Sequence, residues 1–222
     1  SLTSIEKMDA VTGAETEKSG TELMSKTGDA IRVRFSGVSY HYPGGGNVLQ
    51  NVSFILNPGE KLCIMGNSGS GKSTALRLLT GAFRNFEGSV LINDIPIGNY
   101  SVGSLRASTG ILLSQQDIFQ GTLWENITMG NKDISVAEIT NSLKLCGLTD
   151  FLESLPDGLD TSLDPTGKRL PMKIRQGILL ARALVGHRKL VLLEDPFHGL
   201  EGKTKQEVLS FLKSDTGSTV II

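Results

Sequence analysis

The run Gly66-Asn67-Ser68-Gly69-Ser70-Gly71-Lys72-Ser73 completes the pattern G-x-x-x-x-G-K-S. This spacing constrains the fold more than any other feature of the chain. Its glycines let backbone N–H groups from Gly66 through Thr74 wrap a phosphate chain, its lysine reaches the β- and γ-phosphates, and its serine hydroxyl can ligate Mg²⁺. Such a loop works only between a strand and a helix, because the helix N-terminus supplies free N–H groups and a favourable dipole for anions. The flanks match. Lys61-Leu62-Cys63-Ile64-Met65 reads as a short buried strand, and Ser73 to Leu79 as a helix. A flexible Gly-Ser linker would not be bounded by two apolar runs of these kinds.

Composition narrows the setting. The 222 residues carry a net charge of −1, which permits one domain of ordinary size and gives no electrostatic reason to expect a nucleic-acid partner. No apolar stretch approaches the roughly 20 residues a membrane helix needs, and no leader pattern opens the sequence. Cys63 and Cys146 are far apart and form no metal-type pair. Cys63 falls on the predicted buried strand and reads as a reduced core cysteine in a cytosolic setting.

The hydrophobic pattern divides the rest. Residues 1–29 are polar and read as a linker. Ile31–Phe35, Val38–Tyr42 and Val48–Leu56 read as extended, with turns at Pro43–Gly46 and Asn57–Gly59. Gly88–Asp94 predicts a strand and turn, and Ile111–Gln115 a short buried strand. Ser135–Cys146, with Val136, Ile139, Leu143 and Leu145 near helical spacing, predicts a helix, as do Thr149–Leu155 and Lys173–Leu184. Leu190–Leu193 is a continuous apolar run, the mark of a central parallel strand. Lys203–Lys213 predicts a helix with Val208, Leu209, Phe211 and Leu212 inward, and Thr219–Ile222 begins another strand. The fold class is therefore α/β: a P-loop core with a parallel central sheet, an antiparallel β subdomain on its N-terminal side and an α-helical insertion at about 117–172.

From about Ile31 to Ile222 the chain resembles the nucleotide-binding domain of an ABC exporter, similar to those of peptide and protein exporters. Tyr42 precedes a Pro-Gly turn where these domains carry an aromatic that stacks on adenine; Tyr40 competes for that place, since alternation puts both on one face. Gln115 or Gln116 follows a strand like the family's Q-loop glutamine, with Gln115 preferred. Gly121-Thr122-Leu123-Trp124-Glu125-Asn126-Ile127 is similar to the exporter "GT-x-x-x-NI" segment, where Trp124 is either a core residue or a contact for membrane-domain coupling helices. Leu155–Thr161 resembles "LPDG-x-DT", and Ala181-Arg182-Ala183-Leu184 followed by Leu190–Pro196 resembles the run ending in an acid pair and proline. Thr3–Lys7 is similar to the segment where exporters leave their last membrane helix.

That resemblance implies ATP and Mg²⁺ as cofactors. It assigns Tyr42 to adenine, Gly66, Asn67, Ser68, Gly69, Ser70, Gly71, Lys72, Ser73 and Thr74 to the phosphates, Ser73, Gln115 and Glu194 to the metal, and Asp195 to the attacking water. It also implies a head-to-tail dimer with a second nucleotide-binding domain, identical or different. A transmembrane domain would lie on the same polypeptide before the 1–29 linker, with the nucleotide-binding domain at the cytoplasmic face of the membrane.

Departures from the family pattern bear on catalysis. Where exporters read LSGGQ, this chain reads Leu170-Pro171-Met172-Lys173-Ile174. A serine hydroxyl and two glycines that allow close backbone approach are replaced. Pro171 still suits the start of a helix. The acid pair is Glu194-Asp195 instead of Asp-Glu, so the water-orienting carboxylate is one methylene shorter. Misplacement by about 1 Å can cost on the order of 10²-fold in rate. Phe197-His198-Gly199-Leu200-Glu201 stands where exporters end in Leu-Asp. The switch histidine of the family is expected beyond Ile222. ATP binding with weak or impaired hydrolysis follows. The alternatives are a non-hydrolytic, ATP-gated dimerisation module and a soluble ABC ATPase.

Overall fold

The computed structural model describes residues 19–24, 30–163, 170–200 and 202–222. Thr3–Lys7, Glu201 and most of the 1–29 segment lie outside the described residues. Ser19 to Met24, within that segment, lie against the domain: Gly20 N–H donates to Tyr100 O at 3.1 Å, and Met24 is buried.

The first layer is antiparallel. β1 (Val33–His41) pairs with β2 (Asn47–Leu56) and with β4 (Glu87–Ile92), and β4 with β5 (Ile95–Pro96), in the order β2-β1-β4-β5. The turn closing β1 onto β2 is the Pro43–Gly46 stretch, where Gly45 N–H donates to Tyr42 O. The second layer is parallel, with order β3-β10-β9-β6, comprising β3 (Lys61–Leu62), β6 (Thr109–Leu112), β9 (Leu190–Leu193) and β10 (Thr219–Ile221). α1 (Lys72–Leu79) follows β3 through the glycine-rich loop, and α2 (Val102–Ala107) precedes β6. Between β6 and β9 come β7 (Gly121–Thr122), α3 (Leu123–Thr128), α4 (Val136–Leu145), α5 (Thr149–Ser154), β8 (Ser162–Leu163) and α6 (Met172–Leu184); α7 (Gly202–Ser214) leads into β10.

β9 explains how the layers cohere. All four of its side chains are buried. Val191 and Leu193 join the core built by α3, α4 and α6, while Leu190 and Leu192 join the core of β1, β2, β4 and α1. A strand covered on both faces has no polar side, so its sequence shows an unbroken apolar run and not an alternation. The helical insertion and the β layer therefore grip opposite faces of one strand.

Three expectations need correction. Cys63 is exposed and Met65 is 87% exposed, not buried. β3 is the edge strand of its sheet; Ile64 continues the pairing by donating to Ile222 O at 2.7 Å and packs against the core, while Cys63 and Met65 alternate onto the uncovered side. Phe211 is 38% exposed, not inward. Val208 and Leu212 are the buried residues of α7, and Ile139 and Leu143 supply the inward stripe of α4. Cys146 is buried, and loss of solvation pushes its thiol up to about 12.

Candidate nucleotide site

The phosphate loop emerges from β3 at the carboxyl ends of the parallel strands, the usual ligand crevice of an open α/β sheet. Gly71 is the N-cap of α1 with φ 88. It needs glycine twice over. A Cβ there would lie 2.6 Å from Val48 O and 2.8 Å from Leu49 Cδ2, and the left-handed backbone disfavours any side chain. The helix therefore starts hard against β2, with no side-chain cap on its first N–H groups. Lys72 Nζ curls over the loop, donating to Gly66 O at 2.6 Å, Asn67 O at 2.8 Å and Ser70 Oγ at 3.3 Å.

Ser73 points the other way, toward the end of β9. Its hydroxyl donates to Glu194 Oε1. Glu194 Oε2 accepts from Ser114 N–H at 2.9 Å, and Glu194 N–H donates to Leu112 O at 2.7 Å. β6, β9 and α1 thus converge on one carboxylate. Burial works against its charge, but hydrogen bonds from Ser73 and from Ser114, with the nearby Arg77 charge, outweigh burial and hold Glu194 below the usual glutamate range. A hydroxyl beside an ionised carboxylate is a hard oxygen set. Among the described residues no group of three or more His, Cys, Asp or Glu is arranged for a metal. Mg²⁺ bound together with nucleotide phosphates needs only one or two protein oxygens, so the pair fits that cation.

Tyr42 is half-buried, and its hydroxyl is 3.2 Å from Thr74 Oγ1. Its ring stands edge-on to Tyr40 at 5.1 Å and to Phe83 at 5.6 Å, while Tyr40 stacks on Phe83 at 5.0 Å. The alternation read from sequence does put both tyrosines on one face. Tyr40 is the buried partner and Tyr42 the accessible one. Phe83, which no motif singled out, completes the wall.

Gln115 is exposed in the turn after β6, whereas Gln116 folds back so that its Oε1 accepts from Leu113 N–H at 3.2 Å. Asp195 follows Glu194 in the chain. Its side chain is 74% exposed, and its Oδ2 lies 3.5 Å from His198 Nδ1. The structure thus brings Ser73, Thr74, Tyr42 and Glu194 together and leaves Gln115 and Asp195 as exposed groups on adjoining loops.

One cluster escaped the motif reading. Asn126 is fully buried, its Oδ1 accepting from Phe119 N–H at 3.1 Å and its amide donating to Phe119 O and Thr122 O. Arg182 donates to Asn126 O at 2.6 Å, Asn126 Oδ1 at 3.0 Å and Asp117 O at 3.2 Å, with Phe119 beneath it. Desolvation lowers the guanidinium to about 10 despite Asp117. The available signal was an arginine in the middle of an apolar helix, since such charges are buried only when paired. Trp124, on the same helix α3, packs against the helical core and is partly exposed.

Comparison with known proteins agrees with this geometry. The family model described as "ABC transporter" matches residues 49–198. The chain belongs to the ABC transporter family. It is 35% identical over 179 residues to the glutathione/L-cysteine transport system ATP-binding/permease protein CydD of Bacillus subtilis, covering 81% of this chain and 31% of that protein. It is 30% identical over 195 residues to the mitochondrial iron-sulfur clusters transporter ATM1 of Candida glabrata, covering 88% and 27%. It is also similar to a solved bacterial Atm1-family ABC exporter with ATP bound, at TM-score 0.85 and 28% identity, covering 100% of this chain and 40% of that one. The chain spans about a third of the length of the curated relatives it matches. No helix among the described residues is long and apolar enough to cross a membrane. The α/β architecture read from sequence is that of the exporter's ABC domain.

Proposed function

We propose that this ABC domain binds ATP with Mg²⁺ and couples that binding, with weak hydrolysis, to export by a membrane domain. The observation that carries the reading is the hydroxyl of Ser73 on the carboxylate of Glu194 at the start of α1. It joins the phosphate loop to the end of the central strand, where a metal-bound triphosphate needs both. In this reading Tyr42 stacks on adenine, and Gly66 to Thr74 cradle the phosphates, with Lys72 released from its loop carbonyls to the β- and γ-phosphates. Ser73, Glu194 and Gln115 serve Mg²⁺, whose charge neutralises the phosphates when bound. Asp195 orients the attacking water.

The relatives combine ATP-binding and permease functions in their names. That supports a transmembrane domain on the same polypeptide, a second nucleotide-binding domain as partner, and a place at the cytoplasmic face of a membrane. Titration of a fluorescent ATP analogue tests the reading. Lys72→Ala is expected to bind at least about tenfold more weakly, as losing one charge-assisted contact of about 1.5–3 kcal/mol implies. Equal affinities would overturn it.

A second reading has its own support. The exposure of Asp195, and Met172 and Lys173 in place of glycines, favour a domain that closes on ATP without turnover. ATP-dependent dimerisation with no phosphate release is the result that selects it.

A further inference from the structure

We infer that His198 is a positioning residue for Asp195, and that Met172 braces it from the first turn of α6. This rests on the proposed role of Asp195 in orienting water. Asp195 has φ 47, a left-handed conformation that Asp tolerates better than most non-glycine residues. Contacts of the surrounding loop fix it there. Two contacts hold its backbone: His198 N–H donates to Asp195 O at 3.1 Å, and Gln176 Nε2, from α6, donates to the same oxygen at 3.4 Å. What remains free is rotation of a short side chain.

His198 limits that rotation. Its Nδ1 lies 3.5 Å from Asp195 Oδ2. A carboxylate only accepts, so the ring meets it favourably with Nδ1–H, at ion-pair distance. The other ring nitrogen, Nε2, is 3.2 Å from Met172 Sδ. The thioether only accepts, so with Nδ1–H toward Asp195 this contact is packing and not a hydrogen bond, and the Met172 side chain limits the swing of the ring by its bulk. Met172 occupies a position that is glycine in the family pattern, and glycine has no side chain to reach the ring. The departure thus has a local consequence: the segment that in the family meets a partner's nucleotide here steadies the acid of the same chain. An exposed pair of this kind adds little to stability, about 0–1 kcal/mol, so its effect belongs in catalysis.

The test measures phosphate release from MgATP and binding of a fluorescent ATP analogue by the full chain. His198→Ala is expected to lower kcat about three- to fivefold, the most that a contact worth up to about 1 kcal/mol holds back, while leaving KM within about twofold. His198→Asn, which keeps a donor toward Asp195, should recover most of that loss. In an Asp195→Asn background His198→Ala should have no further effect. An unchanged kcat, or an equal loss in that background, overturns the inference and leaves the function standing. A wild-type chain that binds ATP and releases no phosphate overturns the role of Asp195 with it, and one that does not bind ATP overturns the proposed function.

Discussion

Ser73 and Glu194 are 121 positions apart, and the hydroxyl of one donates to the carboxylate of the other. The contact ties the first turn of α1 to the end of β9. It also makes the domain's stability sensitive to acid. Because the folded-state pKa of Glu194 is lowered, its contribution is fully present above the unfolded value of about 4.3 and is lost as pH falls through the folded value. Thermal melts should therefore show wild type more stable than Glu194→Gln at pH 6, with the gap closing below about pH 4.3. A gap that persists undiminished at pH 3 would show that the charge does not carry the contact.

Two glycines of the phosphate loop separate backbone strain from steric overlap. Gly69 has φ 82 with open space where a Cβ would stand, whereas Gly71 has φ 88 and would meet Val48 and Leu49. Gly69→Ala should cost only the conformational penalty, about 1–2 kcal/mol. Gly71→Ala should cost more, because β2 must also move. Urea denaturation of both variants reads the difference, and equal midpoints would contradict the close approach of loop and strand.

In the proposed reading Tyr42 offers its ring to the base, while its hydroxyl lies 3.2 Å from Thr74 Oγ1. Tyr42→Phe should lower stability by about 0.5–1.5 kcal/mol, the net worth of one hydrogen bond, with little change in ATP affinity. Tyr42→Ala should weaken ATP by about 1–3 kcal/mol, the scale of base–aromatic stacking. Isothermal titration of the two variants distinguishes these roles. A large affinity loss in Tyr42→Phe would move the function from ring to hydroxyl.

The Asn126–Arg182 cluster should behave as a buried network. Asn126→Ala would leave Phe119 N–H, the Phe119 and Thr122 carbonyls and one arm of Arg182 short of a partner. An unsatisfied buried group costs about 1–3 kcal/mol; with three of these bonds only part-buried and open to water, a loss of at least about 3 kcal/mol in chemical denaturation is expected. A loss under about 1 kcal/mol would mean that water replaces the amide.

Much of the fold was legible because local patterns carry local physics. The unbroken Leu190–Leu193 run announced a strand covered on both faces, and β9 is such a strand. The spacing of Ile139 and Leu143 announced the inward stripe of α4. The reading failed where burial depends on distant neighbours. Cys63 follows an apolar strand residue, yet it is exposed because β3 is an edge strand and Cys63 lies on its uncovered side, between Leu62 and Ile64, which pack on the core. Phe211 has helical spacing with Val208 and Leu212, yet it stays partly exposed at the edge of the stripe.

By itself the sequence determined the phosphate loop, its strand and helix, and the family, since each is a matter of residue type at fixed spacing. It also showed that the signature and acid pair depart from the pattern. Only the tertiary structure decided which groups meet. Ser73 reaches Glu194, Tyr42 and not Tyr40 stays accessible, Gln116 turns back while Gln115 stays exposed, and Asp195 leans on His198. The reason is physical. Short-range spacing sets backbone geometry, but which side chains come within hydrogen-bond reach depends on how strands far apart in the chain pair in the sheet.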